Sequence, residues 1–433
     1  MATPDPGHQL TDQALSALEQ RIAAIYRQAA DEMKDTIAAY FASFAKRDAE
    51  MRSLIGTEVN GKLWTEQEYR QWRLAQIGRG ARFQALRDQL AARMTEANTV
   101  AAAYINDATP GVYSLNRNYA AYTIEQIAGS VGFTLWDEAT VKRLLLEQPD
   151  LMPEYPQARA VKRGIDLAWG KKQITAQVTQ SILQGESLKG MVERLQKAIP
   201  NMNRDSAIRA ARTAFTGAQN AGRMDSYAAA DKMGIKVRKR WVATKDGRTR
   251  HSHQRLDGQT VDWDKPFSSE LGKIRFPGDP RAKPANVYNC RCTVRTVEKP
   301  GIEAEPRHMR VRDPHTGKNV LVNEMTYDEW KAWVQRRQYS DIIGVETANG
   351  IRITSVSAHS LERGGERDVT LAAVTDAVTK PLHIQPVRVD EKGQKSQRFI
   401  GATATVNVNP DTGNIVTVWK TGQKTRKRYG GKG

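Results

Sequence analysis

Reactive side chains crowd into one stretch of this chain, from Trp241 to Cys292, and that crowding limits how its middle can fold. The stretch reads WVATKDGRTRHSHQRLDGQTVDWDKPF and, six residues further on, IRFPGDPRAKPANVYNCRCT. Both cysteines, Cys290 and Cys292, lie in it, with His251 and His253 from a total of seven histidines. Large aliphatic residues are scarce between Asp246 and Asp264, so aliphatic burial alone gives this part a thin core. A loop-rich fold here calls for a cross-link of another kind.

A Cys-x-Cys pair with a distant histidine is a donor set for tetrahedral zinc, the fourth position going to water or to a carboxylate such as Asp246 or Asp257. Two thiolates one residue apart can face a single ion, whereas a disulfide closed over so short a loop is strained. The other reading is that Cys290 and Cys292 are free buried thiols and the histidines hydrogen-bond loops. No HExxH helix supplies a general base beside an open position, so a bound metal is expected to be structural. Arg248, Arg250 and Arg291 are expected to pair with Asp257 and Asp279 as a charged scaffold.

The order of residues here resembles the phage Mu F-like head morphogenesis (minor capsid) proteins. It is carried by Trp241, Asp246, Arg248, Arg250, His253, Leu256, Asp257 and Gly258, then Pro277 to Pro280, then Asn289 to Cys292. The Gly185-Glu186-Ser187 turn is similar too, whereas Arg212-Thr213-Ala214 lacks the acid usual in the family. Among the histidines the resemblance favours His253 as metal ligand and leaves His251 in reserve. It covers roughly residues 110 to 336 and implies a virion-head protein, made in the bacterial host cytoplasm. The implied partners are the portal, other capsid proteins and packaged DNA.

At 433 residues the chain has room for two or three domains. A net charge of +18 implies an acidic partner, nucleic acid being the first candidate. No apolar run reaches the ~20 residues of a membrane span, and MATPDPGHQLTD lacks the pattern of a secretory leader. Two cysteines in one motif fit synthesis in a reducing compartment.

Apolar residues recur at helical spacing from Leu15 through Ile22, Ala29, Met33 and Ile37 to Phe44, and less regularly after Asn60-Gly61. Long amphipathic helices are therefore expected over residues 1–109. A turn is expected at Pro110-Gly111, opening a loop-rich domain over 110–297 that contains a helix over 204–233. Residues 298–337 are expected to form a linker and a closing helix, and the basic end from Gly422 a mobile tail.

From residue 338 to 433 the texture changes to a small α+β domain with helices on an antiparallel sheet. A helix opens at Thr370 and stops before Pro381, a strand follows over Ile384 to Val389, and a hairpin turns at Pro410-Asp411-Thr412-Gly413. His359-x-x-Glu362-Arg363, Glu366-Arg367 and the final strand Ile415-Val416-Thr417-Val418 resemble the phage-borne branch of the barnase/EndoU/colicin E5-D/RelE-like ribonucleases. That resemblance implies an RNA substrate and metal-independent cleavage. His359 would act as base or acid, Arg363 and Arg367 would hold phosphate, and Thr417 would donate a hydrogen bond. His383 and Arg388 are lesser candidates, and Lys420 with the basic end would attract the RNA backbone. On a helix His359 and Arg363 share a face. The alternative is a domain that binds nucleic acid or a capsid partner and cuts nothing. The whole reads as a multidomain α+β chain.

Overall fold

The computed structural model describes residues 5–128, 132–152, 165–244, 246–297, 310–312, 319–321, 325–357, 360, 369–391 and 393–430. Helix α1 (Pro6–Ser53) starts at Asp5, whose carboxylate accepts the His8 amide, and buries Leu18, Ile22, Tyr26, Ala29, Met33, Ile37 and Phe41. That spacing of three and four makes one stripe, as expected of a helix packed along its length. Strands β1 (Glu58–Val59) and β2 (Lys62–Leu63) form a small hairpin in which Asn60 and Gly61 both take positive φ. Helix α2 (Glu66–Arg79) opens with a capping box between Thr65 and Glu68.

Helix α3 (Ala81–Ala128) has 48 residues, roughly 70 Å of helix, and runs straight through Pro110-Gly111. The turn expected there is absent. Proline leaves the carbonyl four residues back without its amide donor, and here the Thr109 hydroxyl donates to that Asn106 oxygen at 3.2 Å. Helix α4 (Glu138–Glu147) follows, then α5 (Leu167–Leu183), and Gly185 at φ +72° turns the chain into α6 (Leu188–Glu193), capped by Ser187. A π-helical stretch over Arg194–Ala198 leads into α7 (Ile199–Lys232). Helices α1, α3 and α7 pack on one another, and α7 contributes mostly small residues: Ala207, Ala211, Ala214, Gly217, Ala218, Ala221 and Gly222.

The loop-rich part is built on a three-stranded antiparallel sheet with β3 (Arg238–Val242) in the centre. On one side lies β4 (Thr260–Asp262), on the other β7 (Thr293–Val297). Between them come the short helix α8 (His251–Gln254), the hairpin of β5 (Phe267–Ser269) with β6 (Gly272–Ile274), and α9 (Pro284–Val287). Another hairpin, β8 (Arg310–Arg312) with β9 (Asn319–Leu321), lies in the stretch expected to be linker. Helix α10 (Tyr327–Ser340) returns to the long helices. One core extends from Leu18 through Trp241, Cys290 and Cys292 to Val334, so the helices and the loop-rich segment share a single interior.

A second core, from Ile342 to Val418, belongs to the C-terminal part. Its sheet runs β10 (Ser355–Val356), β15 (Asn414–Lys420), β14 (Ala404–Val408), β13 (Lys395–Ile400), β11 (His383–Ile384), with β12 (Arg388–Val389) also pairing β13. All pairs are antiparallel except β10 with β15. Helix α11 (Leu371–Thr379) is capped by Thr370 as expected, and buries Val374, Ala377 and Val378 in that core. The strand expected over Ile384 to Val389 is split in two, and a further strand, β13, forms from KSQRFI, which alternates only weakly. The basic end is not a free tail: α12 (Gln423–Tyr429) folds back, with Tyr429 stacked on His383 at 4.4 Å.

Candidate functional sites

The expected metal donors converge. Strand β3 carries the chain to Thr244, and α8 then delivers His253, which is 1% exposed. On the other side Asn289, at φ +55°, turns the chain out of α9 into Cys290. Helix α7 fixes this turn: Thr213 accepts the Asn289 amide at 2.8 Å, Thr216 donates to the Cys290 carbonyl at 2.5 Å, and Asn220 donates to the Cys292 carbonyl at 3.3 Å. Thr244 donates to the Arg291 carbonyl at 2.6 Å. The sulfurs of Cys290 and Cys292 then lie 3.4 and 3.6 Å from His253 Nδ1. All three ligand atoms fall within 4.8 Å of one another, and all three residues are buried.

Trp241 and Asn286 border the cluster. The Trp241 ring meets His253 edge-on at 5.3 Å, and Asn286 Oδ1 lies 2.9 Å from His253 Nε2. The two thiols share their acidity: the hydrogen bond from Cys290 holds Cys292 low against the opposing effect of burial. The same hydrogen bond, reinforced by burial, pushes Cys290 up.

Other expected participants go elsewhere. His251 is exposed and faces Glu270 at 3.8 Å, so it is not a reserve ligand. Asp246 is held by Arg291 at 2.6 Å and by the Arg248 amide, which keep its carboxyl low, at about 2. Asp257 accepts the Ala243 amide at 2.9 Å. Among the described residues no carboxylate joins the cluster. The charged scaffold also differs in its pairs: Asp279 is bound by Arg275, and Arg250 donates to the Tyr288 carbonyl. Asn286 was not picked out in the sequence, since an asparagine in PANVYNC carries no spacing signal.

In the C-terminal part His359, Arg363 and Arg367, with Glu362 and Glu366, lie outside the described residues. Thr417 lies on β15 opposite Asn407 of β14, while Ile415 and Val418 of the same strand enter the core. Asn407 in turn opposes Arg398 of β13, and Arg398 Nε donates to Asn407 Oδ1 at 3.3 Å. The Arg398 guanidinium sits 5.1 Å from the centre of the Trp419 ring. Thr417, Asn407, Arg398 and Trp419 thus share the sheet face turned away from α11. His383 is taken up by Tyr429 and Arg388 is exposed on β12. The sequence did not single out Arg398, Asn407 or Trp419, because cross-strand register decides their meeting.

Residues 172–295 match the model of the Phage Mu protein F like protein family. The matched span runs from α5 into β7 and so contains every donor of the cluster and the helix that pins it. The chain is also 28% identical over 229 residues to Minor head protein GP7 of Bacillus phage SPP1, covering 52% of this chain and 70% of that protein. It is 35% identical over 126 residues to an NAD(+)--arginine ADP-ribosyltransferase, EFV, of Enterococcus faecalis. That alignment covers 29% of this chain and 24% of the relative, so the chain spans about a quarter of that protein. No solved structure matches. Among the described residues no helix is long and apolar enough to cross a membrane.

Proposed function

We propose that this chain is a minor head protein of a phage virion, with the Mu F-like segment as its rigid assembly module. The observation that carries this reading is the match over residues 172–295 together with the alignment to 70% of the SPP1 head protein. Physical support comes from the way α7 ties the loop-rich segment to the long helices, giving a stiff body suited to bind the portal and other capsid proteins. The net charge of +18 suits a position beside packaged DNA. The test is to purify virions and probe them for the chain, then repeat with residues 172–295 deleted. Presence in wild-type heads and loss on deletion are expected. Absence of the wild-type chain from virions would overturn the proposal.

A second reading concerns the C-terminal part, as a metal-independent ribonuclease. It is favoured by the polar sheet face that brings Thr417 beside Asn407, Arg398 and Trp419. RNA cleavage needs a base, an acid and cations for the phosphorane. His359, Arg363 and Arg367 would supply these, with Thr417 donating from the sheet. Full-length wild type and His359→Ala, incubated with RNA in chelator, separate this from a part that only binds nucleic acid or a capsid partner. Equal survival of RNA would leave the binding role. In the Mu F-like segment, the reading includes a structural zinc at His253, Cys290 and Cys292.

A further inference from the structure

We propose that Asn286 completes this zinc site from outside, by fixing which nitrogen of His253 meets the metal. The inference rests on the zinc reading above and adds a residue and a tautomer to it. A neutral imidazole has one N–H and one lone pair, and the partner of one nitrogen decides the role of the other. Asn286 is fully buried, and its Oδ1 stands 2.9 Å from His253 Nε2.

The orientation of the Asn286 amide is set by its other neighbours. Ser269 Oγ lies 3.4 Å from Oδ1, and Nδ2 points to the Gly272 carbonyl at 3.5 Å. Turning the amide over would bring its oxygen against that carbonyl oxygen, two acceptors with no proton between them. Oδ1 therefore faces the ring, Nε2 carries the proton, and the Nδ1 lone pair points at the sulfurs.

Distances distinguish a metal site from a simple thiol contact. With Zn–S near 2.3 Å and Zn–N near 2.0–2.1 Å, tetrahedral angles place N and S about 3.6 Å apart. The two observed separations are 3.4 and 3.6 Å. A single S–H donor would explain one of them, not both. The Cys292 amide lies 3.4 Å from Cys290 Sγ, a donor that suits a thiolate. Two thiolates and an imidazole favour zinc over the hard cations that take oxygen ligands. The backbone on either side of the cysteines is held by α7, so the donors are preorganised. Asn286 is a positioning residue here: its Oδ1 accepts the Nε2 proton and so orients the ligating histidine.

The test uses the full-length chain stripped of metal, with Co²⁺ as the probe and Zn²⁺ as competitor. Wild type should bind one Co²⁺ with thiolate charge-transfer absorption and tetrahedral d–d bands, and release it to Zn²⁺. Asn286→Ala should bind about 10–100-fold more weakly, while Asn286→Asp, which keeps an acceptor, should restore most of the affinity. Nitrogen-15 spectra of His253 should show the Nε2–H tautomer in metal-free wild type and in Asn286→Asp. No thiolate–cobalt band in wild type would sink the metal reading itself. Tight binding by Asn286→Ala, or an Asp variant as weak as the Ala variant, would leave the metal standing and remove Asn286 from the site.

Discussion

Asp5 and Arg223, 218 positions apart, form a bidentate ion pair with contacts of 2.7 and 2.9 Å, almost wholly out of solvent. The pair ties the first turn of α1 to α7, and Asn116 and the Val294 carbonyl take further guanidinium protons. Burial alone would raise the Asp5 pKa; Arg223 outweighs it and brings the carboxyl down to about 2. A depressed carboxylate stabilises the fold above its unfolded pKa and loses that contribution as pH falls through the folded value. The pair should therefore contribute fully above pH ~4 and fade toward pH ~2, a linkage of roughly 2 kcal/mol. Asp5→Ala strands a buried guanidinium and should cost about 3–5 kcal/mol. Urea melts of wild type and variant at neutral pH and near pH 2.5 check both statements: a gap that stays constant with pH contradicts the linkage.

How much of this was legible beforehand depends on the range of the interaction. The stripe Leu18, Ile22, Ala29, Met33, Ile37 and the Thr370 cap are local patterns, and the fold follows them. His253, Cys290 and Cys292 were legible because metal donors are rare residue types that cluster in sequence. Pro110 misled, since a proline signals a break and only the Thr109 side chain shows why the helix continues. Asp5 with Arg223, and Thr417 with Asn407 and Arg398, are long-range pairings that no spacing announces.

Gly222 marks where α7 and α3 touch. A methyl group added there would meet the Tyr113 carbonyl oxygen at 2.4 Å, backbone against backbone. Gly278, at φ +82°, is pressed in the same way onto Gly217 of α7, where an added methyl group would lie 2.6 Å from the amide nitrogen. Neither contact can be relieved by a side-chain rotation. Gly222→Ala should cost about 1–3 kcal/mol from overpacking, and Gly278→Ala should add backbone strain to a similar clash. Gly247→Ala, in a loop with nothing within 4 Å, is the control and should be nearly silent. Thermal unfolding of the three variants ranks them; a silent Gly222→Ala would mean the helices can slide apart.

Lys239 is fully buried in the centre of the three-stranded sheet, where its ammonium donates to the Trp263 carbonyl at 2.7 Å. Burial, followed by repulsion from Arg275, lowers its pKa from 10.5 to about 8. Between those two values the unfolded chain binds the proton more readily than the fold does, so stability through this group should rise as pH climbs from ~8 to ~10. Lys239→Met removes both the charge and that slope. The melting temperature of wild type should rise relative to that of Lys239→Met as pH climbs through that interval; parallel curves would show that Lys239 keeps its proton in the fold.

The sheet face of the C-terminal part makes the sharpest demand. If RNA is cleaved there, Arg398 stands where a cation meets phosphate or stacks on a base beside Trp419, and its Asn407 contact keeps it in place. Arg398→Ala should lower RNA cleavage by about 10²–10³-fold, the usual loss when one charge-stabilising donor is removed. Thr417→Val keeps the side-chain shape and deletes only a hydroxyl, so a loss nearer ~10-fold is expected, consistent with a neutral hydrogen bond of about 1 kcal/mol. Both side chains point away from the aliphatic core, so the second core should melt unchanged in either variant. Cleavage by Arg398→Ala at the wild-type rate would move the chemistry off this face, whatever His359 does.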